Sequence, residues 1–254
     1  MKNLLCLFAI IAIIAASSCS NGSRGTGANA GSKRSHQADT GFTGIENYKV
    51  KGVIKKTVSY KNGVKDGLTK TYFNEAAVEQ EIPYVDGKKN GLAKWYYTDG
   101  FVFRTTPYEN DTINGEQIQY YKSGKIRAKM KYDNGKRYPG LDEYEMDGTK
   151  ITDYPKLVYH INDNYKEKGT VKILVEMSDL SEGTKYYRGR FVNGLVDLGA
   201  CTPLLQSATT GYIDLKKAEG VSSDSVYIIG AYLTRFGNRF YTSVAIPMPY
   251  KDLN

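Results

Sequence analysis

The chain has 254 residues, a formal net charge of +8 and a hydrophobic fraction of 41%. A chain of this length and composition buries enough apolar surface for two modest domains, which excludes a wholly disordered protein. The positive charge is spread along the chain and is not concentrated in one segment. Because a nucleic-acid binder usually gathers its basic residues on one face, we expect no nucleic-acid partner.

The N-terminus has the features of a secretory signal. A charged start containing Lys2 precedes an apolar run over residues 4–16, which is shorter than the about 20 apolar residues of a membrane span. The tetrad Ala16-Ser17-Ser18-Cys19 resembles a lipobox, the site cleaved by lipoprotein signal peptidase. The resemblance implies a signal peptide over residues 1–18 and acylation of Cys19, with groups such as palmitate as a membrane anchor. The alternatives are a plain signal peptide or an uncleaved anchor with an incidental cysteine.

Residues 19–40 predict a flexible tether, because they are mostly small and polar. No acidic cluster follows Cys19, whereas such a cluster marks surface export in lipoproteins of some Gram-negative groups. We therefore expect an anchor in the cell envelope that faces the periplasm. Cys201 would be the only cysteine of the mature chain besides the acylated one, and its apolar neighbours predict a buried, inert thiol.

Five columns of residues recur every 24 positions through the middle of the chain. Tyrosines and β-branched residues between glycine-containing turns predict strands, with one hairpin in each unit. The columns are Tyr60, Tyr84, Tyr108 and Tyr132; Tyr72, Tyr96, Tyr120 and Tyr144; Gly63, Gly87 and Gly135; Gly67, Gly91 and Gly115; and Gly100, Gly124 and Gly148.

The third unit allows two strand registers. A two-residue loop at Ser123-Gly124 would place Ile118 opposite Lys129, whereas a three-residue loop would end in a glycine with positive φ. We prefer the three-residue loop, because it gathers the apolar side chains on one face. That face would carry Ile118, Tyr120, Ile126, Ala128, Met130 and Tyr132, and we expect it to be the more buried one.

This pattern resembles the MORN repeat, in the bacterial variant found in YwqK-like antitoxin proteins. The residues that carry the resemblance are the pairs Tyr72-Phe73, Tyr96-Tyr97 and Tyr120-Tyr121, the turns Asn62-Gly63, Asp86-Gly87 and Asn134-Gly135, and Gly67, Gly91 and Gly115. The resemblance covers about residues 57–154 and implies a single-layer meander over a repeat domain at 41–154. It also implies a scaffold role, since most MORN proteins of eukaryotes are scaffolds and lipid binding has been proposed for some. A cytosolic antitoxin role does not fit an exported lipoprotein.

Four positions depart from the repeat pattern. Asp111 replaces a loop glycine, and Glu145 stands where a second aromatic residue is expected. Pro83 and Pro107 each remove a backbone donor near a strand end, which makes regular pairing there doubtful.

The 24-residue columns stop at about residue 155. Short apolar segments separated by turns predict a small β-sandwich-like domain over 155–254, with strands at 156–161, 170–177, 184–192, 211–215, 225–233 and 240–247. We expect this domain to cap one open end of the repeat sheet, since a free sheet edge invites aggregation. The predicted fold class is therefore all-β.

Aromatic residues on the other face of the repeat sheet are predicted to bind a partner, because exposed aromatic patches often mark interaction sites. These residues are Trp95, Tyr97, Phe103, Tyr121 and Phe73, and the alternative is that they serve packing. Lys125, Arg127 and Lys129 alternate along one strand and predict a basic stripe that would attract anionic lipid. The alternative there is a solvated strand face.

The sequence shows no Cys/His metal spacing, phosphate loop or nucleophile motif, so we expect no metal, no cofactor and no enzymatic activity. The predicted function is a non-enzymatic envelope lipoprotein whose repeat sheet is a scaffold for a protein or glycan partner. Membrane-surface binding through the basic stripe is the first alternative. The second is a glycan-active centre in the C-terminal domain, which would need two carboxylates about 5–9.5 Å apart in a cleft.

Overall fold

Almost all secondary structure in the computed structural model is antiparallel β-strand, which confirms the predicted all-β class. The structure describes residues 41–74 and 76–254, which belong to one compact unit. The predicted signal peptide, Cys19 and the tether lie outside the described residues. Within the described residues, no helix has the length and apolar character needed to cross a membrane.

Thirteen strands form the repeat sheet. They are β1 (Gly44–Val50), β2 (Val53–Lys61), β3 (Val64–Tyr72), β4 (Val78–Val85), β5 (Lys88–Lys89), β6 (Gly91–Tyr96), β7 (Val102–Glu109), β8 (Thr112–Ile113), β9 (Gly115–Tyr120), β10 (Ile126–Asp133), β11 (Lys136–Arg137), β12 (Asp142–Tyr144) and β13 (Lys150–Ile151). The main order is β1-β2-β3-β4-β6-β7-β9-β10-β12-β13, and the short strands β5, β8 and β11 pair with β4, β7 and β10. The chain therefore meanders through the sheet in sequence order.

Two-residue turns connect the hairpins at one end of this sheet. Both residues of Asn62-Gly63 have positive φ, 51° and 78°, as a type I′ turn requires, and Asp86-Gly87 and Asn134-Gly135 repeat this conformation. Asp111 also has positive φ, 70°, and its carboxylate accepts a hydrogen bond from the Lys89 N–H at 2.8 Å. This bond explains how an aspartate replaces the glycine of the other turns.

Three-residue loops connect the strands at the opposite end of the sheet, as predicted. The Tyr121 N–H donates to the Lys125 carbonyl at 2.9 Å, and Gly124 closes the loop with φ of 81°. Gly100 and Gly148 have φ of 89° and 101° at the equivalent positions. Glycine is favoured there because a Cβ destabilises this backbone conformation.

A β-bulge follows each three-residue loop in the first three repeats. Tyr120 pairs with Ile126, but Gln119 pairs with Ala128, so Arg127 is an extra residue without a partner in the ladder. Glu79 and Phe103 are the extra residues of the two preceding repeats.

The predicted register beyond the loop is therefore wrong. The bulge shifts the pairing by one residue, so that Ile118 lies opposite Lys129 and Gln117 lies opposite Met130. Because side chains alternate between the two faces, this shift moves Ala128 and Met130 to the face opposite Ile118.

The two faces of the repeat sheet are named by their residues. Face 1 carries Ala93, Trp95, Arg104, Gln119, Ala128 and Met130, and face 2 carries Glu81, Lys94, Thr105, Ile118 and Lys129. One row across face 1 is buried in every strand that it crosses, through Val58, Thr69, Ile82, Ala93, Thr106, Gln117 and Met130. Face 1 is therefore the better packed face, although it carries Trp95 and Gln119, which we expected on the more exposed face, together with Ala128 and Met130, which we expected on the more buried one.

The C-terminal region is a β-sandwich. Its elements are β14 (Leu157–Asn164), α1 (Tyr165–Lys168), β15 (Thr170–Met177), β16 (Lys185–Arg188), a 3-10 turn (Leu198–Ala200), β17 (Thr202–Pro203), β18 (Leu205–Ser207), β19 (Thr210–Lys216), β20 (Ser225–Leu233) and β21 (Arg239–Pro247). Sheet β14-β15-β19-β18 packs on sheet β17-β16-β20-β21 through one apolar core that includes Val171, Ile173, Tyr186, Leu215, Ile228 and Ile246. The strands predicted at 170–177 and 225–233 have these bounds, whereas β17 and β18 were not predicted.

The strand predicted over 184–192 ends earlier, at Arg188. Gly189 has φ of 153°, and a Cβ at this position would overlap the Cys201 Sγ. Cys201 itself is only half-buried, which corrects the expectation of a buried thiol. Burial nevertheless raises the pKa of that thiol.

The sandwich packs against face 1 of the last two repeats. The Tyr154 and Phe240 rings stack with centroids 4.4 Å apart, beside the buried residues Ala128, Met130 and Leu141. The two strand systems remain separate sheets. The C-terminal domain thus covers part of a sheet face, and it pairs with a strand of that sheet only through the single antiparallel bridge between Arg137 and Val196 within the described residues.

Candidate binding site

A row of alternating tyrosines and lysines crosses face 1 near the two-residue turns. Tyr60 lies opposite Lys65, and Tyr84 lies opposite Lys89. The Lys65 ammonium lies 5.2 Å from the centre of the Tyr84 ring, and the Lys89 ammonium lies 5.1 Å from the centre of the Tyr108 ring. Each lysine therefore pairs with one tyrosine and stacks on the next, which is a cation–π arrangement repeated at the 24-residue spacing.

Trp95 and Arg104 form a second row on face 1. They lie opposite each other on β6 and β7, and the guanidinium carbon of Arg104 lies 4.1 Å from the centre of the Trp95 ring. Between this row and the lysine–tyrosine row lie Ala93 and Thr106, which are 0% and 1% exposed. Small buried side chains thus form the middle of face 1, and large cationic and aromatic side chains stand on both sides of it.

Face 2 neutralises much of its own charge. The Lys70 Nζ lies 2.8 Å from the Glu81 carboxylate, and the Lys150 Nζ lies 2.8 Å from the Asp142 carboxylate. Tyr96 also donates a hydrogen bond to Glu81 at 2.7 Å. Burial alone would raise the pKa of Glu81. The hydrogen bonds from Lys70 and Tyr96 outweigh that effect and hold the pKa of Glu81 below its usual range.

The cations of face 1 have no such partners. Within residues 41–74 and 76–254, no carboxylate forms a salt bridge with Lys56, Lys65, Lys89, Arg104 or Arg137. Burial, and then the positive charge of Lys65, lowers the pKa of Lys56. Burial also lowers the pKa of Arg104 and of Arg137. The buried carboxylate of Glu143 partly offsets the charge of Arg137, whereas Lys56, Lys65, Lys89 and Arg104 keep positive charge on face 1 that no salt bridge among the described residues compensates.

Two of the predicted binding residues connect successive repeats. The Tyr97 hydroxyl donates to the Tyr120 carbonyl at 2.9 Å, and the Tyr121 hydroxyl donates to the Tyr144 carbonyl at 2.6 Å. Phe103, the bulge residue, packs edge-on against Tyr97 with the ring centroids 5.3 Å apart. These contacts favour the packing interpretation for the three residues.

The other predicted aromatic residues differ in position. Phe73 is exposed, and its backbone carbonyl accepts a hydrogen bond from Lys55 at 3.0 Å. Trp95 is half-buried and lies on the better packed face, so the prediction that it stands on the more exposed face is wrong. The β-bulge is the cause, because it reverses the faces of the strand residues from which the exposed face was assigned.

The three residues of the predicted basic stripe do not form one surface. The Lys125 Nζ donates to the Asp147 carbonyl at 3.1 Å, and Arg127 donates to the Phe236 carbonyl at 2.9 Å. Lys129 lies beyond the bulge on face 2, where it forms a salt bridge with a carboxylate. The bulge therefore separates residues that a regular strand would place side by side.

The structure brings together cations that the sequence reading overlooked. Lys65, Lys89 and Arg137 occupy one 24-residue column, with Ile113 in the third slot. Each of them lies directly opposite a residue of a tyrosine column. The basic column was visible in the sequence, but only the register shows that its side chains share face 1 with the tyrosines.

No protein-family model matches this chain, and no curated protein resembles it. The MORN resemblance therefore stays an expectation from the sequence. The described part of the chain contains no cluster of three or more His, Cys, Asp or Glu side chains suited to a metal ion.

Three carboxylates, Glu143, Glu145 and Asp153, line a pocket of about 410 Å³ beside the sandwich. Glu143 is 1% exposed, and its oxygens accept hydrogen bonds from Thr234, Asn238 and Tyr154. All three donors are neutral side chains of the sandwich and of the segment that leads to it. This arrangement makes the carboxylate a structural acceptor that holds the sandwich on face 1.

Proposed function

We propose that the protein is a non-enzymatic, lipid-anchored protein of the bacterial cell envelope, whose repeat sheet is a scaffold that binds an anionic partner through face 1. The observation that carries this proposal is the charge difference between the two faces. Cations of face 2 such as Lys70 and Lys150 have carboxylate partners, whereas Lys65, Lys89 and Arg104 of face 1 stack on aromatic rings.

An aromatic ring stabilises a neighbouring cation without neutralising it. A cation–π contact contributes about 0.5–1 kcal/mol at an exposed site, and the positive charge remains available to a second partner on its other side. A row of such cations attracts an anionic partner and raises its association rate. Face 1 is therefore the surface of the repeat sheet that is suited to bind an anionic partner.

The location in the envelope is supported by the N-terminal sequence. The lipobox-like tetrad at residues 16–19 supports acylation of Cys19, and the polar segment that follows supports a tether. Such a tether would let face 1 reach a partner near the membrane.

The proposal is tested by matched changes on the two faces. The mature, acylated chain in detergent is passed over immobilised envelope glycan from a Gram-negative bacterium, as Lys65→Gln/Lys89→Gln on face 1 and as Lys70→Gln/Lys150→Gln on face 2. The two double variants have the same net charge. We expect the face 1 variant to lose about tenfold in affinity, which corresponds to about 1.4 kcal/mol, and the face 2 variant to bind like the parent.

Equal losses in the two variants would contradict the choice of face 1, because the binding would then follow net charge alone. Thermal melting of each variant shows that its fold is kept. Vesicles that contain anionic lipid form a second arm. If face 1 binds them as tightly as it binds the glycan, the protein is a membrane-surface binder and the scaffold proposal is wrong.

A further inference from the structure

Two arginines on face 1 have buried nitrogens without a hydrogen-bond acceptor. They are Arg104 on β7 and Arg137 on β11, and both are half-buried. Among the described residues, nothing accepts a hydrogen bond from the Arg104 Nε or from the Nε and Nη2 of Arg137. A buried charged donor that stays unpaired destabilises the folded chain.

The surroundings of these arginines are aromatic. Tyr132 lies directly opposite Arg137 across the strands, and the Arg137 guanidinium lies over the ring of Tyr241 of the sandwich. Tyr132 also raises the pKa of both arginines, against the effect of burial. Tyr132 is thus a shared neighbour of both cations. Both arginines lie beside the sandwich, because Arg137 lies over Tyr241 and Arg104 lies opposite Gln119, which donates a hydrogen bond to Asn238.

The aromatic rings do not replace an acceptor. The Arg104 guanidinium stacks on Trp95 at 4.1 Å, and the Arg137 guanidinium stacks on Tyr241 at 5.3 Å. Stacking stabilises the charge through the ring face but leaves the N–H groups in the guanidinium plane unused. Glu143 also favours the charged form of Arg137, but among the described residues no hydrogen bond joins Glu143 to the buried Nε and Nη2 of Arg137.

Part of each guanidinium reaches the surface. The Nη1 and Nη2 of Arg104 and the Nη1 of Arg137 are not among the buried nitrogens without a partner. A ligand would therefore meet these three nitrogens and not the buried ones. The Nη1 and Nη2 of Arg104 can bind the two oxygens of a carboxylate or phosphate in parallel, and Arg137 offers its Nη1 as a single charged donor.

We infer that Arg104 and Arg137 bind the oxyanions of an acidic saccharide, a carboxylated or phosphorylated glycan that lies along face 1. This inference rests on the proposed function, since it names the class of the partner that face 1 binds. The lysine–tyrosine row supports a polymer, because Lys65 and Lys89 present the same chemistry at a regular spacing. Equivalent positions two strands apart are about 10 Å from each other, so the sites repeat as the units of a glycan do.

A peptide is less suited to this surface. An extended peptide usually adds to the edge of a sheet through backbone hydrogen bonds, whereas Arg104 and Lys65 stand on a sheet face. Aromatic side chains on a face suit the flat, partly apolar faces of sugar rings. The ligand chemistry is therefore an acidic sugar unit with an aromatic ring beside it.

The experiment is a calorimetric titration of the mature, acylated chain in detergent. The probes are oligogalacturonate, which is carboxylated, mannose 6-phosphate, a neutral maltooligosaccharide and polyglutamate. We expect the parent to bind at least one of the two acidic sugars about tenfold more tightly than the neutral sugar and polyglutamate. The variants are Arg104→Lys and Arg137→Lys, which keep the charge but remove the guanidinium fork. Arg190→Lys is the control, because the Arg190 guanidinium also lies over a tyrosine ring, that of Tyr227, but on a strand of the sandwich.

We expect Arg104→Lys and Arg137→Lys each to lose about tenfold for the acidic sugar and Arg190→Lys to bind like the parent. Thermal melting shows whether each variant keeps its fold. If one of the two arginine variants is unfolded, the affinity of the other variant for the acidic sugar tests the inference. Equal binding of polyglutamate, or unchanged binding in a folded variant, overturns the inference. If the Lys65→Gln/Lys89→Gln variant still loses affinity for the envelope glycan in that case, the proposed function stands and only the arginine site fails. If neither the arginine variants nor the Lys65→Gln/Lys89→Gln variant loses affinity, both proposals fail.

Discussion

Replacing Glu143 by alanine tests whether this buried carboxylate holds the sandwich on the repeat sheet. One oxygen accepts hydrogen bonds from the Thr234 hydroxyl at 2.8 Å and from the Asn238 amide at 2.7 Å, and the other accepts one from the Tyr154 hydroxyl at 3.2 Å. Glu143→Ala leaves three donors without their acceptor. Each unsatisfied donor costs about 1–3 kcal/mol, and water that enters the space offsets part of this. We therefore expect the free energy of unfolding to fall by about 3–5 kcal/mol.

Equilibrium denaturation in urea measures this loss with two probes. The chain has one tryptophan, and Trp95 lies on face 1 of the repeat sheet, so its fluorescence reports the unfolding of that sheet. Far-ultraviolet circular dichroism reports both strand systems. We expect the two transitions of Glu143→Ala to separate, because the sandwich loses its attachment. The matched control is Glu145→Ala, which removes a mostly exposed ion pair with Arg235 and should cost less than about 1 kcal/mol.

A loss of less than about 1 kcal/mol in Glu143→Ala would refute this reasoning, since a satisfied buried acceptor cannot be removed at so small a cost. Equal losses in the two variants would refute it as well. In that case the apolar contact between Tyr154 and Phe240 would be sufficient to hold the two strand systems together.

Three other predictions concern single positions. Cys19→Ala should release the chain from membranes or leave its signal uncleaved, and a fully processed, membrane-bound variant in fractionation would contradict acylation. Gly124→Val should lower the free energy of unfolding by about 1–3 kcal/mol, because φ is 81° there. Gly140→Val is its control, since a Cβ at Gly140 meets nothing within 4 Å and its φ is not in the left-handed region. Burial, and then the hydrogen bond to Glu81, raises the pKa of Tyr96 from 10.0 to about 12. Because the folded chain binds this proton more tightly, the stabilisation is complete below pH 10 and is lost as the pH rises to about 12. Tyr96→Phe should weaken this alkaline loss of stability, and an unchanged profile in a pH-dependent melt would count against it.

The loops of the repeat sheet were predictable because their backbone demands particular residues. Positive φ at Asn62-Gly63 and Gly124 favours Asn, Asp or Gly, and these residue types recur at the equivalent positions of the other repeats. The β-bulge does not favour particular residue types, because its extra residue does not have positive φ. Glu79, Phe103 and Arg127 have no side-chain property in common, although they occupy one structural position.

The error in the faces had a direct consequence for the candidate site. Strand alternation carries a one-residue shift to every later residue of the strand, so Met130 moved to face 1 and Lys129 moved to face 2. The same argument explains the failure of the basic stripe. Arg104 was not recognised from the sequence, because its role depends on its partner across the strands, Trp95.

Deleting the bulge residue tests the register directly. If Arg127 is the extra residue, its deletion leaves Tyr120 paired with Ile126 and Gln119 paired with Ala128 in a regular ladder. The deletion variant loses the hydrogen bond and the cation–π contact of Arg127 with the Phe236 segment, which together contribute about 1–3 kcal/mol. We therefore expect the variant to fold and to melt at a moderately lower temperature.

Deletion of Lys129 is the matched control, since it removes one basic residue from the same strand without removing a bulge. It would move Met130, which is 4% exposed, from face 1 to face 2 and bring Lys131 into the buried row. Loss of the Met130 burial costs about 1.5–3 kcal/mol, and an unpaired lysine in a buried row costs several more. Because a domain has about 5–15 kcal/mol of stability, we expect this variant to be unfolded or close to it. Thermal melting of the two deletions decides the question. If the Lys129 deletion folds as well as the Arg127 deletion, β10 tolerates a change of register, and the assignment of cations to face 1 loses its structural basis.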